Sequence, residues 1–292
     1  MPARLLNTDP KALHQRSHMR RGLVLRVLGA LAVAYALLCG YAAIFERRIT
    51  FRANPHPVTP AEFSLTEVEH QTLATADGER LVVWRRAAAT GRPTILYFQG
   101  NGDTLGYRAE RMRQFGAQGW GVFMLAWRGF SGSTGEPTEA NAVADARLAY
   151  ATLRAEGIEA GDIVIYGESL GTNIATVVAL TQEARALILE APFTSMVDAW
   201  RQFAPFLPVG LMMRDRFDTL DVIGGLRRPL LVIHGERDRM VGHHLGRRLF
   251  EAAPAPKRHV GLPEAGHTDL YAHGAIDAVR RFLDDVAAGT VQ

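Results

Sequence analysis

Cysteine is nearly absent: the 292 residues contain one, Cys39, which excludes a disulfide framework and any Cys-based zinc site. Internal repeats and low-complexity tracts are missing too. With 48% hydrophobic and 22% charged residues, the composition excludes a disordered, collagen-like or coiled-coil chain. The body of the chain also lacks a basic excess. The formal net charge is +3, but residues 1–52 hold nine of the 33 Lys+Arg and two of the 30 acids, so the other 240 residues carry 24 basic against 28 acidic groups. A slightly acidic body is a poor nucleic-acid binder, and no nucleic-acid partner is expected. No metal is expected either: His14 and His18 have the i, i+4 spacing of a helical ligand pair, but no third ligand stands near them. The length accommodates one large domain or two small ones, with a sizeable core.

What is present begins with a run of 19 uncharged residues, 27–45, VLGALAVAYALLCGYAAIF. As a helix it spans about 28 Å, close to the hydrocarbon thickness of a bilayer. Six basic groups precede it and three follow closely, a bias that keeps the N-terminus cytoplasmic. The expected layout is a basic cytoplasmic tail at 1–26, a single transmembrane signal anchor at 27–45 and a linker at 46–65. The body at 66–288 then lies on the non-cytoplasmic (periplasmic or extracytoplasmic) side. A cleaved signal peptide is the alternative, since Gly40-Tyr41-Ala42 offers a small-x-small site, but the charged leader and the apolar run are both long for one. A lipoprotein needs a small residue before Cys39 and finds Leu38. Nineteen residues with no polar face suit a buried soluble helix badly. Cys39 itself reads as a small hydrophobe.

Residues 51–63, FRANPHPVTPAEF, hold three prolines and read as an extended linker or wrapping arm. Segments 67–75 and 80–85 flank Asp77-Gly78 as a hairpin. Strands then follow at 94–98, 121–127, 163–166, 186–189, 230–234 and 259–262, separated by helices near 107–118, 140–156, 170–181, 243–252 and 275–286. Mostly apolar strands alternating with helices predict an α/β fold, a mostly parallel central sheet covered on both faces. The stretch 197–220 resists the pattern. Its Phe203, Phe206, Leu207, Met212 and Met213 read either as a lid carrying a substrate pocket or as plain core packing.

The strongest chemical signal is Gly167-Glu168-Ser169-Leu170-Gly171, between IVIY and a helical stretch. With six serines and 28 glycines the G-x-S-x-G pattern arises by chance about 0.06 times in such a chain. A sharp turn there lifts the serine hydroxyl clear of the sheet, and the helix N-terminus faces a developing oxyanion. The serine needs a base, and the base an orienting acid. Asp238 stands just beyond the strand LLVIH and His267 just beyond the last strand, at carboxyl ends of strands where α/β sheets hold ligands. Glu236 and Glu264 are rival acids. Among rival bases, His234 reads as a packing or hydrogen-bonding residue, and His243, His244 and His273 as surface or helix positions. Leu170 N–H supplies one oxyanion donor, and the turn Gln99-Gly100-Asn101-Gly102 the other, with Asn101 N–H as candidate.

PTILYFQGNGD, MLAWRGFSGSTGEPTE, IVIYGESLGTN, LEAPFTS, LLVIHGERDRMV and PEAGHTDLY, in this order, resemble the α/β-hydrolase superfamily. More narrowly they are similar to its membrane-anchored single-pass serine hydrolases with a serine-aminopeptidase-like domain. The resemblance covers about residues 60–283. It departs from the family pattern at Gln99, where a His is usual, and at Ala126-Trp127, where Asp-Tyr is usual; the first departure touches the oxyanion loop. The resemblance implies acyl transfer to water through Ser169, His267 and Asp238, with no metal or organic cofactor. Small-molecule or lipid esters and thioesters are the implied substrates. An aminopeptidase or amidase on the same residues, or a non-catalytic scaffold, are the competing readings. Haloalkane dehalogenase chemistry is disfavoured, because it needs a carboxylate nucleophile where Ser169 stands. Oligomeric state is left open.

Overall fold

A computed structural model describes residues 10–291, and of residues 10–13 and 15–20 the backbone alone. Arg4 and Asp9 of the basic tail, and the side chains of Lys11, Arg16, His18 and Arg20, lie outside that description. The chain divides into two units, the first ending at Glu46 and the second beginning at Arg47.

Helix α1 runs Pro10–Phe51. Within it Arg21–Phe51 is, among the described residues, the one helix long and apolar enough to cross a membrane. The linker expected from residue 46 therefore begins six residues late. Nothing in ERRITF breaks a helix, and Phe51 gains a buried place at 2% exposure in the core of the second unit. Pro55 and Pro57 hold the chain extended beyond it, and Val58 and Leu65 are buried, so 52–65 is a wrapping arm rather than a free tether. The domain boundary expected at residue 66 falls inside the second unit.

Eight strands make one sheet: β1 Glu69–Ala74, β2 Arg80–Arg86, β3 Thr94–Phe98, β4 Gly121–Leu125, β5 Ile163–Glu168, β6 Ala186–Glu190, β7 Leu230–Gly235 and β8 Lys257–Leu262. Their order is β1-β2-β4-β3-β5-β6-β7-β8. The β1–β2 and β2–β4 pairs are antiparallel and all others parallel. The hairpin expected at Asp77-Gly78 is there, with Gly78 at φ +88°.

The remaining helices are α2 Ala109–Ala117, α3 Glu139–Ala155, α4 Gly171–Thr181, α5 Met196–Arg201, α6 Val209–Met212, α7 Thr219–Val222, α8 His243–Ala252 and α9 Ala275–Ala288. Alternate strand residues serve opposite faces, as a two-residue period requires. Leu96, Phe98, Ile163, Ile165, Leu187 and Leu189 pack with α3 and α4, whereas Ile95, Tyr97, Val164, Tyr166 and Ile188 pack with α2 and α9. With both faces covered, β3 through β7 are almost wholly buried, and the loops at their carboxyl ends are where a sheet of this kind is open to ligands. The resistant stretch 197–220 becomes α5, α6 and the approach to α7, joined by irregular turns.

Candidate active site

Ser169 follows the last residue of β5 and takes φ +47°, a left-handed conformation whose strain is of order 1–3 kcal/mol for a non-glycine residue. Three bonds hold it there. Its N–H donates to Glu190 O at 2.8 Å, and its carbonyl accepts from Thr172 N–H at 3.0 Å and from Thr172 Oγ1 at 2.5 Å. The flanking glycines are steric necessities. A Cβ on Gly167 would lie 2.5 Å from Gly171 O and 2.6 Å from the Thr172 Cα, and one on Gly171 would overlap Phe98 O.

His267 and Asp238 arrive from the ends of β8 and β7. His267 Nε2 lies 3.0 Å from Ser169 Oγ, and His267 Nδ1 lies 2.7 Å from Asp238 Oδ2. The loops carrying them touch across Gly235, where any Cβ would overlap the carbonyl oxygens of Ala265 and Gly266. Asp238 Oδ1 accepts Met240 N–H and Val241 N–H at 2.8 Å each, which fixes the carboxylate. Burial alone would raise the Asp238 pKa, but hydrogen bonds from His234 and His267 overcome it and hold the group well below the usual carboxylate range. An ionised Asp238 places the His267 proton on Nδ1 and turns the Nε2 lone pair toward Ser169. Burial would depress His267, but the bond and charge of Asp238, with Glu168 and Glu190 behind, raise it above 6.5.

The rival residues stand elsewhere. Glu264 pairs with Arg237 at 2.6 Å and His273 with Asp269 at 3.5 Å. Glu236 packs against Gly261, and His244 is exposed. His234 is wholly buried, and its Nε2 meets two acceptors, Asp238 Oδ2 at 3.1 Å and Val241 O at 2.9 Å. It serves as a hydrogen-bond donor to the acid, in line with the packing or hydrogen-bonding role expected of it.

The turn after β3 is clamped from several sides. Trp127 Nε1 donates to Gln99 O at 2.9 Å, Gly100 N–H to Glu168 Oε2 at 3.2 Å and Gly102 N–H to Asn101 Oδ1 at 2.8 Å. Asn101 Nδ2 donates to Thr50 O. Behind the turn lies a buried ionic group that sequence reasoning missed. Arg108 grips Glu168 through Nε at 2.9 Å and Nη2 at 3.2 Å. Arg111 bridges Glu168 at 3.0 Å and Glu190 at 2.7 Å. Tyr97 and Tyr166 donate to Glu168 and Glu190 at 2.5 and 2.6 Å. Burial disfavours the charge on Glu168, yet Arg108 and Arg111 hold its carboxyl well below the usual range, whereas for Glu190 burial prevails and raises the pKa. One signal was available: a glutamate ends each of the apolar strands IVIYGE and ALILE.

Two cavities meet at Ser169 and His267. One, of about 330 Å³, is walled mainly by apolar side chains, among them Phe193, Met196, Trp200, Phe203 and Met240. The other, of about 510 Å³, is polar and includes Asn54, Asn101, Asp103, Tyr107 and Thr268. Of the five pocket residues expected in 197–220 only Phe203 lines the apolar cavity. Met213 is drawn into the core, Leu207 packs against that core, Met212 is half-buried at the end of α6, and Phe206 stays 62% exposed in the turn between α5 and α6. The apolar wall comes instead mainly from Phe193, just after β6, from Met196, Ala199 and Trp200 of α5, and from Met240 and Val241 beyond β7.

A family model described as serine aminopeptidase, S33, matches residues 89–219. An uncharacterized protein of Mycobacterium tuberculosis is 33% identical over 248 residues, covering 83% of this chain and 88% of that protein. An α/β-hydrolase domain-containing protein of Arabidopsis thaliana is 30% identical over 244 residues, covering 76% of this chain and 79% of its own. Among solved structures, an esterase of Pyrococcus furiosus superposes with a TM-score of 0.65 at 18% identity, over 80% of this chain and 97% of its own.

Proposed function

The chain belongs to the α/β-hydrolase family, and we propose that it is a membrane-tethered serine hydrolase that cleaves carboxylic ester or thioester bonds through an acyl-enzyme on Ser169. The observation that carries the reading is the unbroken line Ser169 Oγ, His267 Nε2, His267 Nδ1, Asp238 Oδ2, with links of 3.0 and 2.7 Å. Ser169 Oγ attacks the acyl carbon as Nε2 takes its proton, and Asp238 stabilises the imidazolium. The tetrahedral adduct collapses, and the alcohol or thiol leaves with the proton from Nε2. Water then gives a proton to Nε2 and attacks the acyl carbon; the acid departs and Ser169 Oγ is reprotonated.

Two backbone N–H groups hold the oxyanion, those of Leu170 and Asn101. Gly100 N–H and Gly102 N–H already have carboxylate and amide acceptors, which leaves Asn101 as the donor of its turn. Each oxyanion donor contributes about 3 kcal/mol to the transition state. The apolar cavity takes the acyl chain and the polar one the leaving group. Esters and thioesters are favoured over peptides because holding a free amino terminus calls for a sheltered, uncompensated carboxylate; of the two carboxylates at the polar cavity, Glu168 is neutralised by Arg108 and Arg111, and Asp103 is exposed to solvent. The esterase activity named for the Pyrococcus neighbour agrees with this choice. The apolar run 27–45, within the helix segment Arg21–Phe51, anchors the enzyme, with the N-terminus cytoplasmic and the hydrolase on the other side.

The test is hydrolysis of p-nitrophenyl esters, acetate to palmitate, by the full chain beside Ser169→Ala, with fluorophosphonate labelling of both. The variant is expected to lose labelling and turnover, the latter by roughly 10⁵-fold or more. Equal turnover in wild type and variant sinks the mechanism. A wild type labelled but inert to every ester overturns the choice of ester over amide.

A further inference from the structure

One wall of the apolar cavity comes from outside the alternating strands and helices. Ile49, Thr50 and Arg52 line it together with Ser169 and His267, and they belong to the end of α1 and the residue after it. Several contacts seat this segment. Arg47 Nε donates to Asp215 Oδ2 at 2.7 Å, and the other oxygen of that buried carboxylate accepts Glu139 N–H at 3.0 Å. Phe51 meets Phe217 edge-on at 5.9 Å. Thr50 O accepts Asn101 Nδ2, so the same turn that borders the cavity also pins the loop beside Ser169. At Arg52 the chain turns out of the helix through φ +43°, and Asn54 O then accepts Ser131 N–H at 2.8 Å. A segment that served only to tether the domain would need neither a buried Phe51 nor a contact with Asn101.

The distance along the chain gives this wall a chemical meaning. Ile49 is four residues beyond Phe45, the end of the uncharged run, so at most about 14 Å of chain separates them in any conformation. The cavity volume of about 330 Å³ stands at the low end of the roughly 300–1,000 Å³ typical of ligand sites. A volume of this size has room for the first part of an acyl chain at Ser169, and the tail of a long one would emerge. With the run 27–45 in a bilayer, as proposed above, that length of chain keeps lipid within reach of Ile49.

We propose that residues 49–52 form a substrate-binding wall, with Ile49 against the acyl chain, and that the substrate is a membrane-resident acyl ester whose tail extends along this wall. The proposal rests on Ser169 as the nucleophile, and labelling separates the two. The assays use the full chain in phosphatidylcholine vesicles. In Ile49→Trp the added ring fills the cavity. Its kcat/KM for p-nitrophenyl laurate and palmitate, taken as a ratio to that for acetate, is expected to fall about tenfold, as a pocket discriminating by a few methylenes implies. In Ile49→Ala the optimum moves toward longer chains. An unchanged chain-length profile in both variants, with fluorophosphonate labelling intact, overturns the wall. Mono-oleoylglycerol dispersed in the vesicles is expected to be cleaved at least about tenfold faster than soluble monobutyrin, and a preference for monobutyrin overturns the membrane-resident substrate. A wild type that fails to label refutes the nucleophile instead.

Discussion

Two buried polar clusters border the line from Ser169 to Asp238, and they solve the problem of burial in opposite ways. At the serine end Glu168, Glu190, Arg108 and Arg111 are packed together with Tyr97, Tyr166 and Tyr271, and charge is matched to charge. At the acid end His234 and His243 meet edge-on and His243 and His259 at a tilt, with ring centroids 5.4 and 5.3 Å apart. Here burial, the largest influence, depresses His243 and carries His259 down to about 4, so these two rings are kept neutral. His234 Nδ1, His243 Nε2 and His259 Nε2 have no hydrogen-bond partner. A paired charge demands its partner; an imidazole kept neutral demands only pH. The two ends should therefore fail under different perturbations.

Removing a partner should break the first end. Arg111→Met strands Glu168 and Glu190 near each other in a dry site, with Arg108 left to satisfy one of them. Loss of one member of a buried ion cluster is expected to lower unfolding stability by roughly 3–5 kcal/mol, measured by urea denaturation. Glu168 also accepts Gly100 N–H, so the oxyanion turn should loosen as well, and kcat should fall more than KM changes. A loss under about 1 kcal/mol means the carboxylates found protons or water, and that the charges were never held as a set.

Acid should weaken the second end. The unfolded imidazole titrates near 6.5 and the folded His259 near 4, so the contribution of a neutral His259 is fully present above pH 6.5. It is lost as pH falls from 6.5 through about 4. His267 has the opposite sign: its raised pKa contributes stability that is complete below 6.5 and disappears as pH rises through its folded value. Between pH 7 and 4.5 the wild type is expected to lose on the order of 1 kcal/mol more than His259→Phe, a figure discounted for the partial exposure of His259. Phenylalanine suits the site, since His259 already packs against Phe250 at 5.4 Å. Parallel curves from denaturation at each pH would mean that His259 titrates normally in the fold.

The sequence was legible where structure is local. TILYF became a strand over the expected residues, 243–252 a helix over the expected residues, and the other strands and helices lie within a few residues of their places. Ser169, Asp238 and His267 stand at carboxyl ends of strands because a sheet with helices on both faces offers no other open site, and periodicity already announces that sheet. What stayed illegible depends on contacts across many residues. Arg108 and Arg111 carry no local signal; they matter because β5 and β6 bring Glu168 and Glu190 against them. Residues 46–51 looked like a tether until Phe217 covered Phe51. The 197–220 residues were chosen for being apolar, and apolarity alone does not separate a pocket wall from a core. Met213 took the core, and Phe193, outside that window, took the wall.

Gln99 tests the comparison at its smallest scale, because it is a neutral polar group that the fold neither pairs nor protects by pH. Its carbonyl accepts Trp127 Nε1, yet its side-chain Oε1 and Nε2 are buried with no partner. If charge matching at one end and neutrality at the other are what make burial tolerable, an unpaired amide is a defect. Gln99→Met keeps the length of the side chain and removes both orphaned atoms. Removing an unsatisfied buried pair should raise unfolding stability by about 1 kcal/mol. The backbone carbonyl and its bond to Trp127 are untouched, so ester turnover should stay within about twofold of wild type, a change under about 0.5 kcal/mol in the barrier. A loss of stability instead would mean that the amide holds ordered water behind the turn, since water is the remaining partner for such atoms. The oxyanion loop would then rest on a hydrated site rather than on Trp127, Glu168 and Thr50 alone.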